Sequence, residues 1–230
     1  MVNISQTLRR KYQLKTGLWW APFLIAPDSV IARTHPEWLV RNKRGQLING
    51  FRSIPIIDQL FYKKYVLDLR QKDVQQYLRN CADQMINDWS VSLLKMDFLY
   101  APYFDPNYQS VEEVEILAGQ LLEYIRNQYP QVFTIACGCP FELARGRADS
   151  IRISKDNGAP PPHPTWLRRR LYRQRLNLLD QKAQHPQLWQ GCLADPDVRI
   201  RSFDDKQSAQ IWSKIEKQAN FIRGYGDILN

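Results

Sequence analysis

The chain is poor in the features that mark several large protein classes. Its longest apolar run, residues 18–27, is half the roughly twenty residues of a membrane-spanning helix and contains two prolines. Residues 1–16 are polar and basic, with no apolar core or small-residue cleavage site, so they do not read as a secretory leader. A soluble protein with no membrane partner is expected. Of the four cysteines, Cys81, Cys137, Cys139 and Cys192, only Cys137 and Cys139 are neighbours. A structural zinc needs four ligands at recognisable spacing, and that pattern is missing. Scattered thiols without a leader fit a reducing cytoplasm. The three histidines, His35, His163 and His185, all adjoin proline and face no evident Ser or Cys nucleophile, which leaves a Ser-His-Asp reading weak. No G-x-G-x-x-G loop follows the first predicted strand, so a dinucleotide site has no support. Neither a metal nor a cofactor is expected.

What remains is globular. The 230 residues are 44% apolar and 24% charged, a balance that supports a sizeable core and excludes a disordered chain. No composition shift marks a boundary, so residues 1–230 read as a single domain. Lys and Arg number 32 against 23 Asp and Glu, a formal charge of +9. The excess peaks at Arg168, Arg169, Arg170, Arg173 and Arg175, after Trp166. A solvated helix face is the first reading of that cluster. A nucleic-acid or anionic-membrane patch is the second.

Short apolar runs alternate with amphipathic stretches. GLWWAPF (17–23) reads as a buried strand, YVLDL (65–69) as a weaker strand or turn, and residues 71–88 as a helix with one apolar face. SLLKMDFL (92–99) is a further strand. Ser110 and Glu113 form a capping-box signature that opens a helix through Val114, Leu117, Leu121 and Ile125. VFTIAC (132–137), IRIS (151–154) and VRIR (198–201) read as strands, residues 157–164 as a proline-rich loop, and residues 165–182 as a basic helix. A last helix uses Ile211, Trp212, Ile215 and Ile222. Such alternation predicts an α/β fold with a parallel sheet. The strand count falls short of eight, so the expected architecture is a (β/α)8 TIM-barrel-like fold, incomplete, with about strands three to eight present.

In parallel α/β folds, catalytic groups sit at the carboxyl ends of strands. Lys95 and Asp97 close SLLKMDFL and, two apart, share a face. The lysine is expected to keep the carboxylate ionised, which suits a nucleophile. Arg152 and Asp156 surround the end of IRIS, in loop text where a carboxyl group can act as general acid or cap a turn. Asp195 and Asp197 precede VRIR and read as a turn around Pro196. Trp19 and Trp20 end the first strand, where an aromatic face can stack on a sugar or fill the core. Paired carboxylates without phosphate loops, metal spacing or a usable histidine favour glycoside hydrolysis.

The ordered set GLWWAPF, HPEWL (35–39), LDL (67–69), KMDFLY (95–100), CGCP (137–140), DSIRISKD (149–156) and DPDVRIR (195–201) resembles the catalytic barrel of melibiase-type α-galactosidases, the clan D glycoside hydrolases. The resemblance implies cofactor-free, retaining hydrolysis of terminal α-linked galactose. It implies Asp97 as nucleophile and Asp156 as general acid/base. Lys95 would hydrogen-bond a sugar hydroxyl and Arg152 would hold the 2-hydroxyl. Cys137 would line the pocket, Asp197 would lie near the sugar, and Trp19 would form an aromatic wall.

That family's D-D-G-W-type motif for the outer galactose hydroxyls has no counterpart here, and neither do its first two strands. A chain of this kind is expected to be poorly stable or inactive alone and to need a complementing chain or a homo-oligomer, or to be a fragment. The alternative function is a non-catalytic carbohydrate-binding remnant that keeps Trp19, Lys95 and Asp97. Nucleic-acid binding through the arginine cluster ranks last.

Overall fold

The computed structural model describes residues 4–51, 63–154, 165–200, 203, 205–217 and 224–226. The expected proline-rich loop 157–164 and Ile222 lie outside them. Two compact units are resolved, Met1–Ala148 and Asp149–Asn230.

The first unit begins with α1 (Ile4–Tyr12), a basic helix with no buried residue. β1 (Gly17–Trp20) follows, then a turn at Pro22 and β2 (Leu24–Ile25). The short α2 (Val30–Thr34) is capped by the Ser29 hydroxyl, which accepts the Ala32 N–H. β3 (Tyr65–Val66) precedes α3 (Lys72–Asp83), which widens into one π-turn over Gln84–Asp88. Next come β4 (Leu93–Met96), α4 (Val111–Gln128), β5 (Phe133–Ala136) and α5 (Phe141–Ala144). Ser110 caps α4 as its sequence predicts, accepting the Glu113 N–H, while the Glu113 carboxylate reaches back to the N–H of Gln109.

β1, β4 and β5 run parallel with β4 in the middle, and the register places Trp19 beside Lys95 and Lys95 beside Ile135. Period-two burial along β4 hides Leu94 and Met96 completely, while Leu93 and Lys95 stay half-covered. α3 buries Val74, Leu78 and Ala82, and α4 buries Val114, Ala118, Leu121, Leu122 and Ile125, the spacing of one apolar helix face. The two helices pack on each other.

Two expectations change here. β1 is not buried: among the described residues it pairs with β4 alone, and Trp19 is 56% exposed. Its apolar letters encode a strand, but only a second neighbour could cover it. YVLDL does not join the parallel sheet. β3 pairs antiparallel with β2, and Leu67 bridges to Leu39. Asp68 in this motif anchors Arg70, which also reaches the buried carboxylate of Asp105 at 3.0 Å.

The second unit contains β6 (Ser150–Arg152), α6 (Thr165–Ala183), β7 (Leu193–Asp195), β8 (Val198–Ile200), α7 (Lys206–Glu216) and β9 (Gly224–Gly226). β6 pairs parallel with β7, and β8 parallel with β9. The basic helix α6 buries Tyr172, Leu176, Leu179 and Ala183, a helical stripe that packs against α7. The Tyr172 hydroxyl accepts hydrogen bonds from the Trp212 indole and the Ile200 amide, at 2.7 and 3.2 Å. Two of the clustered arginines are used within the unit: Arg173 pairs with Asp205 and Arg168 lies over the Phe203 ring.

The turn expected at Asp195 is the end of a strand instead. Leu193–Asp195 forms β7, so Asp195 and Asp197 follow a parallel strand end as Asp97 does. Three residues are too short for period-two patterning to show in the sequence. The α/β class with parallel strands is as expected.

Candidate active site

In the first unit, the parallel pairing of β1 with β4 carries Trp19 and Asp97 to the same end of the sheet. The Trp19 indole N–H donates to Asp97 Oδ2 at 3.0 Å. The other carboxylate oxygen, Oδ1, accepts the Phe98 N–H at 2.8 Å. The Asp97 N–H donates to the Trp20 carbonyl, which continues the β1–β4 ladder one residue past the strand. Asp97 is therefore half-buried and held at both oxygens by neutral donors. Both donors are neutral, and no cation meets the carboxylate among the described residues.

The backbone beside it is strained. Phe98 has φ +55°, a left-handed conformation unusual for an aromatic residue. Its carbonyl accepts the Ala101 N–H, closing a turn that aims the ring at Trp19, with centroids 6.0 Å apart and nearly perpendicular. After β5, Cys137 is buried and its N–H donates to the Met96 carbonyl at 2.7 Å. Gly138 follows at φ +51° and its carbonyl accepts the Tyr100 N–H. A Cβ there would come within 3.1 Å of the Tyr100 ring. This close turn ties the ends of β4 and β5 together.

The Lys95 expectation needs correction. No ion pair joins Lys95 to Asp97 among the described residues. The lysine lies beside Trp19 in register and is half-exposed. Alternation does put Lys95 and Asp97 on one face, but the backbone turns sharply at Phe98, and the nearest donors to Asp97 become the indole and an amide.

The second unit holds a different arrangement. Arg152 ends β6 directly beside Asp195 of β7. Its Nε donates to Asp195 Oδ2 at 2.8 Å and its Nη1 lies 3.1 Å from Asp197 Oδ1. All three side chains are about nine-tenths buried. Asp195 Oδ1 accepts the Asp197 N–H, which holds Asp197 at φ +68°. The D-P-D text around Asp195 reads as a turn; the strand Leu193–Asp195 is what sets its carboxylate against Arg152. Asp156 lies outside the described residues.

Each unit therefore supplies carboxylates at strand ends. Asp97 is held by two neutral donors, while Arg152, Asp195 and Asp197 form a largely buried ion-paired cluster.

Comparison with known proteins narrows the chemistry. A family model described as Melibiase matches residues 2–140. The curated Probable alpha-galactosidase C of Aspergillus flavus is 23% identical over 124 residues, 54% of this chain and 15% of that protein. Alpha-galactosidase 1 of Pediococcus pentosaceus is 25% identical over 132 residues, 54% of this chain and 16% of that protein. The chain thus spans less than a fifth of the length of these relatives. Among solved structures, an alpha-galactosidase from Thermus thermophilus in complex with stachyose aligns with a TM-score of 0.73 at 20% identity, over 97% of this chain and 48% of that one. An alpha-galactosidase from Lactobacillus brevis aligns with a TM-score of 0.57 at 21% identity, over 98% and 28%. A maltogenic alpha-amylase from Thermotoga neapolitana reaches 0.54 at 13% identity, so the fold alone does not separate these activities.

Proposed function

The chain belongs to the melibiase family, whose model covers residues 2–140, and from that premise we propose that it is a retaining α-galactosidase-like glycoside hydrolase acting on terminal α-linked galactose. The observation that carries this reading is the double hold on Asp97 at the carboxyl end of β4, by the Trp19 indole and the Phe98 amide. Two fixed donors hold the carboxylate in one orientation at the strand end, the positioning a nucleophile needs.

In the proposed double displacement, Asp156 protonates the leaving glycosidic oxygen while Asp97 attacks the anomeric carbon and forms a galactosyl ester. Asp156 then takes a proton from water, which cleaves the ester and returns Asp97. Lys95 donates to a sugar hydroxyl, Trp19 provides an aromatic wall, and Cys137 lines the pocket floor. Arg152, steadied by Asp195 and Asp197, is assigned to the 2-hydroxyl, and Asp197 to a second contact with the sugar. Retention requires the two working carboxyl groups to lie about 5–5.5 Å apart.

The two units are proposed to form one catalytic barrel domain over residues 1–230. The one-sided pairing of β1 among the described residues supports a complementing chain or a second copy beside it. The proposal places the protein in the cytoplasm, since its four cysteines are all free thiols. No helix among the described residues is long and apolar enough to cross a membrane.

The test is hydrolysis of p-nitrophenyl α-galactoside at high enzyme concentration, followed by proton NMR. The α-anomer of galactose is expected first, with the signal lost in Asp97→Asn. Release of the β-anomer first, or unchanged hydrolysis by Asp97→Asn, would contradict the reading.

A further inference from the structure

A cavity of about 510 Å³ lies within the first unit, and two of its lining residues, Trp19 and Phe98, also hold the Asp97 carboxylate. That volume lies in the range of small-molecule sites. Its described walls are aromatic and aliphatic, with Trp19, Trp20, Phe51, Tyr77 and Phe98 among them. Trp19 is shared: its indole N–H serves Asp97 while its ring lines the cavity. The Phe98 ring reaches the cavity through the strained backbone conformation at φ +55° and packs edge-on against both Trp19 and Phe51. Strain of this kind persists where surrounding structure enforces it, and it collects at binding sites. Burial pushes the Tyr77 hydroxyl well up, so it remains a neutral wall.

One lining residue does not fit a purely apolar cavity. Lys64 contributes the sole cation among the described lining residues, and no carboxylate accompanies it. Its main chain is fixed, the N–H donating to Asn49 Oδ1 and the carbonyl accepting the Gly50 N–H. Its ammonium has no hydrogen-bond or ion-pair partner among the described residues. A lysine among the walls of an aromatic chamber favours an anion that arrives with a flat apolar body.

We propose that this cavity receives the leaving-group side of the substrate and selects α-galactosides whose aglycone carries an anionic group for Lys64. The inference rests on the α-galactosidase reading for the identity of the sugar, and on Lys64 and the aromatic walls for the rest. The aglycone's ring stacks against Trp19 and Phe98, and its carboxylate, sulfate or phosphate meets the ammonium.

Calorimetric titration of the full chain with 4-carboxyphenyl α-galactoside, phenyl α-galactoside, 4-hydroxybenzoate and free galactose tests this. The carboxylated galactoside is expected to bind roughly fivefold tighter than the phenyl galactoside, the scale of one partly screened charge pair. Lys64→Gln should abolish that gap and leave phenyl galactoside affinity unchanged, while Lys64→Arg should keep it. Equal affinities in the wild type, a gap that survives Lys64→Gln, or no binding of any aglycone-bearing probe overturns the proposal. Galactose binding without a charge preference would remove the Lys64 assignment and leave the α-galactoside reading standing. Lys64-dependent binding of 4-hydroxybenzoate without any galactose binding would uphold the anion site and remove the galactosidase reading.

Discussion

Carboxylates at parallel strand ends meet opposite fates in the two units. Asp97 receives an indole and an amide, both neutral, and meets no cation among the described residues. Asp195 and Asp197 close around Arg152, and their charge is spent on orienting a guanidinium. One position in the fold therefore carries a carboxylate on neutral donors in one unit and an ion-paired cluster in the other. The choice is made by the neighbour across the ladder: Trp19 belongs to the strand beside β4, whereas Asp195 itself lies across from Arg152. A nucleophile cannot be fully neutralised by a fixed cation without losing reactivity, and a binding arginine cannot be left mobile without losing precision.

Removing each partner should expose this asymmetry. The largest effect is expected for Asp97→Asn, which keeps the shape and the Trp19 contact but removes the attacking charge. Turnover of an activated α-galactoside should fall on the order of 10⁴-fold, the scale seen when a nucleophile is lost, with the urea midpoint nearly unchanged. Arg152→Ala should behave the other way. It takes the cation away from two nine-tenths-buried carboxylates, so unfolding free energy should drop by about 3–5 kcal/mol in a urea titration. If instead Asp97→Asn destabilises the chain and Arg152→Ala does not, the contrast between the units is reversed.

Much of this was legible in the chain. K-x-D at the end of an apolar run marked Asp97, because strand alternation and the strand-end rule need only local spacing. Ser110 and Glu113 marked the start of α4 for the same reason. The misreadings all involve partners distant in sequence. GLWWAPF is apolar enough for a buried strand, yet its exposure depends on pairing with β4 some 75 residues later. Lys95 looked like the partner of Asp97 until the left-handed turn at Phe98 gave that place to Trp19. Asp195 looked like a turn residue because a three-residue strand has no visible period, and its bond to Arg152 crosses 43 positions.

Smaller changes sharpen the comparison. Trp19→Phe keeps an aromatic wall but deletes the donor to Asp97. A hydrogen bond to a charged group contributes about 1.5 kcal/mol or more, so kcat/KM should fall roughly tenfold, mainly through kcat. An unchanged kcat would show that the indole N–H does not support the nucleophile. The smallest effect is expected at Asp205, the cap of α7, whose carboxylate accepts the Ser208 N–H at 2.8 Å. That amide holds the Asp205 carboxyl below its ordinary 3.8 in the folded chain. A depressed folded value means the contribution is complete above the unfolded value and disappears as pH falls through the folded one. Asp205→Ala should thus cost about 1 kcal/mol at neutral pH, and wild type and variant should converge in strong acid. A gap that persists in acid would assign the cost to packing rather than to the charged cap.

The most direct measurement is covalent capture. An α-galacto-configured cyclitol epoxide, incubated with the full chain and followed by peptide mass spectrometry, reports which carboxylate attacks an anomeric-like carbon. A single adduct on Asp97, absent in Asp97→Asn and slowed in Trp19→Phe, is the predicted result. An adduct on Asp195 or Asp197, or stoichiometric labelling that survives Asp97→Asn, would contradict the account.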